Sequence, residues 1–365
     1  MLISTMKSRK KLVFVLPEYD EKASTHFVHT LGLVDEAGKT MDVLLFIEYA
    51  NGCPRLKHIK RVYCQRFTFP FFSFIERFLC FLWFRLAGWK NLYVHYSYWS
   101  GLIGGLIYRL TFGKFYYWHC EAYANYGGDR RWYDLKWRLR DDIPMRLCMK
   151  LCSHLVTGTA SMKDFYAQYF HVKRQKIKIL PNSLNLDRFK PCLKNPRQIA
   201  FVHWMAPRKG ADLLPEIIEK CLNQSDDFIF VIVGDGPLLP SVRKATERFG
   251  DHVRFTGALP NEQAMAIIAE SELFIMPSRQ EGFPRVLIES MALGTAFVAT
   301  DVGGVRDIVS DDVELVAPEE VDAFVHEILR VISDSNLKKA LVESGLVQAQ
   351  NFSHIKAAKL LHHLL

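Results

Sequence analysis

Two carboxylates, Glu281 and Glu289, are spaced E-x7-E in the stretch PSRQEGFPRVLIESMALGTAFVATDVGG (277–304). A carboxylate accepts hydrogen bonds and suits hydroxyl-bearing ligands such as a sugar or a ribose. Beside a phosphate it would repel, so these two are not phosphate ligands. Between them, Gly282, Phe283 and Pro284 end a loop and open a helix, since proline loses no hydrogen bond in a first helical turn. The free N–H groups over 282–286, together with the helix dipole, suit an anion such as a diphosphate. Glu281 stands in the loop just before that anion site. Glu289 lies more than one turn into the helix. On spacing alone the pair reads equally as two solvated glutamates on an ordinary surface helix.

The elements that must hold these residues are legible around them. Leu273–Met276 and Ala296–Ala299 are short apolar runs of the kind that form buried parallel strands. Val286, Leu287, Ser290 and Met291 have helical spacing, and Gly294 closes that helix. Similar strands are expected over 12–16, 43–47, 92–96, 115–119, 154–158 and 177–180, then over 199–202, 228–233, 253–256 and 313–316. Strands alternating with helices imply parallel, doubly wound sheets, with ligands at their carboxyl ends. Two such series predict two Rossmann-like domains: residues 1–190, residues 191–350 after the junction KPCLKNPRQ, and a final helix over 351–365 that must pack on something.

Charge divides the chain. Residues 1–190 hold 30 Lys and Arg against 15 Asp and Glu, whereas residues 191–365 hold 17 against 24. The first half therefore expects an anionic partner. It also holds FPFFSFIERFLCFLWFRLAGW (69–89), where Glu76, Arg77 and Arg85 argue against a membrane span. The segment reads either as a core helix or as one that dips into a bilayer surface. An anionic membrane surface is the favoured partner. Nucleic acid is the alternative, but no RNA-binding aromatic motif or zinc finger supports it. The apolar run Leu12–Leu16 is too short for a signal peptide and reads as a strand. The eight cysteines are scattered without metal spacing, as fits reduced thiols in a cytoplasm.

Four stretches, in order, carry a resemblance. LPNSLNLDRFKP (180–191), PRKGADLL (207–214), VIVGDGP (231–237) followed by VRFTGAL (253–259), and the E-x7-E block are similar to motifs of the retaining GT-B glycosyltransferases of family 4 (glycosyl transferases group 1). The resemblance covers nearly the whole chain. It implies an α/β, GT-B architecture of two Rossmann-like domains facing across a cleft, with the C-terminal helix returning to the first. It also implies a nucleotide-diphospho sugar donor, bound mainly by the second domain, and no metal or other cofactor. By matching position, Glu289 holds the ribose and Glu281 the hydroxyls of the transferred sugar. The N–H groups of Gly282 and Phe283 touch sugar and phosphate, and Lys209 neutralises the diphosphate. The turns at Gly234 and at Gly257–Ala258 border the base. Pro284 and Arg285 complete the donor set, and His119 faces the reacting sugar. The implied acceptor is a lipid-linked or cell-surface glycan, as in polysaccharide, lipopolysaccharide or capsule assembly, at the cytoplasmic face of the membrane.

The chain departs from the pattern in three places. His203 and Trp204 stand where the family has Gly-Arg, so a diphosphate-clamping arginine is missing; Arg208 is the candidate substitute. PEYDEKASTHF (17–27) stands where a Gly-Gly loop is usual, with Lys22, Ser24, Thr25 and His26 as alternative donors to a phosphate or acceptor. Ser183 replaces a usual glycine. An inactive partner or scaffold and a sugar-nucleotide epimerase of the same fold are therefore the competing functions. Glu281→Ala is expected to abolish transfer and leave folding intact.

Overall fold

The structure, a computed structural model, describes residues 9–21, 28–121 and 138–365. The candidate donors Lys22, Ser24, Thr25 and His26 lie outside the described residues.

The apolar runs form two parallel sheets. The first holds β1 (Lys11–Asp20), β2 (Asp42–Asn51), β3 (Arg61–Cys64), β4 (Asn91–His95), β5 (Lys114–Trp118), β6 (His154–Thr157) and β7 (Ile177–Ile179), in the order β3-β2-β1-β4-β5-β6-β7. The second holds β8 (Asn195–Val202), β9 (Ile229–Val233), β10 (Val253–Gly257), β11 (Ser271–Met276) and β12 (Ala296–Ala299), in the order β10-β9-β8-β11-β12. Every pairing is parallel. Two doubly wound Rossmann-like domains result.

The described helices of the first domain are α1 (Val28–Gly38), α2 (Pro70–Leu86), α3 (Tyr98–Leu110), α4 (Ile143–Leu151) and α5 (Ala160–Tyr169). Those of the second are α6 (Leu214–Leu222), α7 (Leu239–Thr246), α8 (Asn261–Glu270), α9 (Arg285–Ala292), α10 (Val321–Ser333) and α11 (Ser335–Ala349). The chain ends in α12 (His354–Leu364). Local chemistry sets several starts. Ser97 caps α3, Thr159 caps α5 and Asp334 caps α11, each accepting a backbone N–H of the first turn.

Two expectations are corrected. Val313–Val316 is not a strand: Val316 makes only an isolated bridge to Thr300. Conversely β3 is a strand that periodicity missed. It is four residues long, and its edge position leaves it half exposed, so it has neither an apolar run nor clear alternation.

The last helix returns to the first domain. Ala357, Ala358 and Leu361 join the core that contains β1 and α1. His354 lies against Gly32 of α1 and its Nδ1 is 2.9 Å from Ser183 Oγ. Ser183 does not have a positive φ, so serine fits this turn without strain and supplies a tie to α12.

Candidate active site

The E-x7-E block sits at the carboxyl end of the second sheet. β11 delivers Pro277 and Ser278, and the loop turns Glu281 inward, leaving it 5% exposed. Lys209 Nζ donates to Glu281 Oε1 at 2.6 Å, and Ser278 Oγ donates to the same oxygen at 2.8 Å. His203 Nε2 stands 3.9 Å from it. Burial lowers the Lys209 ammonium pKa, with Glu281 opposing the shift. Burial also holds the His203 imidazole well below its ordinary range, and the neighbouring Lys209 and Arg208 charges add to the effect. His203 is thus a neutral ring beside a buried ion pair.

Two glycines bring the loops this close. Gly210, at φ +69°, follows Lys209; a Cβ there would meet the Pro277 carbonyl oxygen at 2.0 Å. Gly303, at φ +52°, lies so near the Glu281 carbonyl that a Cβ would stand 1.8 Å from its oxygen. The Gly304 N–H donates to that same oxygen at 3.0 Å. Only glycine tolerates both the left-handed backbone and the approach. Arg279 adds a further tie that the sequence reading missed. Its N–H donates to the Arg208 carbonyl, and its guanidinium grips Asp212, Glu319 and the Pro207 carbonyl. No motif marks Arg279; only the convergence of three loops reveals it.

Helix α9 begins at Arg285, with Pro284 as the residue before it rather than inside it. Glu289 is buried, hydrogen-bonded to Asn261 and one turn from Arg285. Burial raises its carboxyl pKa, and the Arg285 charge partly offsets this. Neither glutamate is the solvated surface residue that spacing alone allowed. Arg285 reaches across the cleft to His29 of α1.

The first domain meets this loop directly. A Cβ on Gly282 would be 2.8 Å from the Cys120 carbonyl oxygen, and one on Gly158 would be 2.8 Å from the Phe283 ring. Ser161 N–H, in the first turn of α5, donates to Asp307 of the second domain at 2.8 Å. His119, next to Cys120 at the end of β5, is therefore brought to the Gly282 loop. It is fully buried, and burial pushes its pKa down to about 3. Its Nδ1 lies 2.6 Å from the hydroxyl of Tyr166 on α5, which also accepts from the Glu121 N–H at 3.0 Å and donates to the Glu121 carbonyl.

Other predicted residues lie nearer the rim. Gly234 packs on the His203 carbonyl. Gly257, at φ +71°, has no neighbouring chain atom within 4 Å of a Cβ position, so its backbone angle, not a crowded neighbour, calls for glycine. Ala258 is exposed, Arg208 is half-buried, and Trp204 is 53% exposed.

Two predictions arise here. Tyr166→Phe removes the shared anchor of His119 and the Glu121 N–H, and should lower unfolding stability by about 1–3 kcal/mol, read from the denaturant midpoint. The second concerns pH. With its folded pKa near 3 against 6.5 for the free group, His119 takes up a proton on unfolding throughout that window. Its contribution is fully present above pH 6.5 and is lost as pH falls, by up to about 1.4 kcal/mol per pH unit. The stability difference between wild type and His119→Asn should therefore shrink as pH is lowered through this range, measured by denaturant unfolding at each pH.

Two facing Rossmann-like domains, with a buried cation–carboxylate pair at the strand ends of the second, make the GT-B glycosyltransferase fold. Over 98% of both chains the structure superposes on sucrose-phosphate synthase from Thermosynechococcus elongatus, with TM-score 0.76 and 17% identity. Anabaena Alr3699/HepE, solved in complex with UDP and glucose, superposes with TM-score 0.71 and 16% identity over 98% of this chain and 99% of that one. Residues 185–347 belong to the family described as Glycosyl transferases group 1. In sequence, 164 residues are 30% identical to the GlcNAc-transferring component of Arabidopsis thaliana phosphatidylinositol N-acetylglucosaminyltransferase, covering 43% of this chain. That match takes in 37% of the plant protein's own length.

Proposed function

We propose that the protein is a retaining, metal-independent glycosyltransferase of family 4. It would move a sugar from a nucleotide-diphospho sugar to a hydroxyl of a lipid-linked or cell-surface glycan at the cytoplasmic face of a membrane. The observation that carries this reading is the buried Lys209–Glu281 pair. A carboxylate and an ammonium are both desolvated at the strand ends, beside the start of α9 and against the facing domain. Burying such a pair costs more than an apolar alternative of the same size, so a structural purpose alone is a poor reason for it. A donor with hydroxyls and a diphosphate uses both charges.

In this reading the diphosphate draws on Lys209, the N–H groups of Gly282 and Phe283, and the start of α9. Glu281 accepts from the sugar hydroxyls and Glu289 from the ribose, while neutral His119 faces the sugar from the first domain. The sugar–phosphate C–O bond breaks and its electron pair goes to the leaving diphosphate, whose charge Lys209 stabilises. The acceptor oxygen bonds to the same carbon from the same face, and its proton passes to the departing phosphate oxygen. The UDP-bound relative and the phosphatidylinositol-modifying relative support a nucleotide donor and a lipid acceptor.

Thermal stabilisation by a panel of nucleotide sugars would select the donor. Nucleoside diphosphate release would then be measured with membrane-lipid and glycan fractions. No release from any donor with any fraction would overturn the proposal. A second reading rests on Trp204 standing exposed where a clamping arginine is expected. In that case the chain binds nucleotide as an inactive partner protein, and stabilisation without turnover is its signature.

A further inference from the structure

Helix α2 is built inside out. Its two charged residues nearest the middle, Glu76 and Arg77, are 8% and 4% exposed, whereas Phe69 and Phe71 at its start are 64% and 62% exposed. The charges are used internally. Glu76 accepts from Tyr63 OH at 2.7 Å and from the N–H groups of Arg66 and Phe67 at 3.0 Å each. Arg77 donates to Gln65 at 2.8 Å and lies 3.4 Å from the buried Glu48 carboxylate. What the helix turns outward is a row of rings and aliphatic chains, from the Phe67–Phe69–Phe71–Phe72 cluster to Trp83 and Leu86. Helix α3 packs beside it, Gly104 admitting the Phe81 ring, and extends the apolar face through Trp99, Leu110 and Phe112. A soluble protein rarely leaves so large a contiguous patch without an occupant.

We propose that the α2–α3 face is a bilayer-docking surface that inserts its rings into the interfacial layer of an anionic membrane. Charge decides the occupant. Residues 61–114 hold seven Lys and Arg and one acidic residue, Glu76, which is buried. The exposed charges around the patch are therefore cations: Arg61, Arg66, Lys90, Arg109 and Lys114. Apolar rings inside a basic rim match anionic headgroups over acyl chains. A second copy fits worse, because a two-fold contact would set this basic rim against itself. Among the described residues no helix is long and apolar enough to cross a membrane, so the face lies on the bilayer. Topology adds a direction. The rings at the start of α2 follow the carboxyl end of β3, and Trp99 follows that of β4, which is the side of the sheet where the cleft opens. Docking would bring the cleft mouth to the lipid surface. The proposal rests on the membrane-acceptor reading above and names the surface that realises it.

The test is co-flotation of the full chain with phosphatidylglycerol–phosphatidylcholine vesicles, comparing wild type with the double variant Phe71→Ser, Trp83→Ser. Wild type should float with the vesicles, and added salt should weaken this partition without abolishing it. Each lost ring should reduce partition about tenfold or more, and the pair about a hundredfold or more. The melting temperature should not move, because neither ring belongs to the core. Unchanged vesicle binding in the double variant would overturn the proposal. So would a wild type that ignores vesicles, including one that self-associates through this face and becomes monomeric in the variant. Vesicle partition needs neither donor nor acceptor, so this surface and the transferase reading fail separately.

Discussion

Glu281→Ala should remove measurable sugar transfer and also destabilise the protein by about 3–5 kcal/mol, because it strands a buried ammonium. The expectation from the sequence, that folding would stay intact, is thereby revised: Lys209 Nζ has Glu281 Oε1 at 2.6 Å and is itself almost buried. A single variant then confuses lost chemistry with lost structure, and a double-mutant comparison separates them. Lys209→Met combined with Glu281→Gln removes both charges and leaves Ser278 an oxygen to donate to. Its stability should return to within about 1–2 kcal/mol of wild type. Its transfer activity should remain down by at least about 10²–10³-fold in kcat/KM, since the charges that meet sugar and diphosphate are both gone. Denaturant unfolding and nucleoside diphosphate release give the two readouts. If the double variant recovered activity along with stability, the pair would be scaffolding only.

Gly303→Ala should cost more than an ordinary glycine substitution. The backbone there has φ +52°, which by itself costs about 1–2 kcal/mol with a side chain. The new methyl would also overlap the Glu281 carbonyl oxygen at 1.8 Å, and that oxygen is held by the Gly304 N–H. The loop must move, and Glu281 moves with it. The expected total is about 3 kcal/mol or more, with a further loss of about 10²-fold in transfer from a displacement of about 1 Å. Gly257→Ala is the matched control. Its φ is +71°, but no chain atom lies within 4 Å of the added methyl, so only the backbone term of about 1–2 kcal/mol applies. Equal destabilisation by the two variants would show that the contact at Gly303 carries no weight.

Much of this architecture could be read from residue order. Apolar runs of four to six residues between helical stretches announced parallel strands, because a strand covered on both faces needs no polar alternation. The exceptions follow from the same rule. Arg61–Cys64 is an edge strand with one half-open face and shows no such run, and Val313–Val316 is apolar because it is buried beside β12 without pairing along it. The site was legible where covalent neighbours set it, as at Glu281, Gly282 and Pro284. It was not legible where distant segments meet. Arg279 with Asp212 and Glu319, Tyr166 against His119, and Asp307 at the start of α5 carry no local pattern.

The residue types and spacing of the chain were enough to determine two doubly wound domains and a carboxylate–cation set suited to a sugar nucleotide. Both depend on local periodicity and short motifs. Only the tertiary structure decided which way each charge faces. Glu281 could have been a solvated glutamate, yet loops drawn together at Gly210 and Gly303 bury it against Lys209. Glu76 and Arg77 looked like breaks in an apolar helix, yet long-range partners at Tyr63, Gln65 and Glu48 turn them inward and leave the rings outside. A charged side chain goes where its desolvation is offset, and the groups that offset it here come from remote segments that sequence spacing does not reveal.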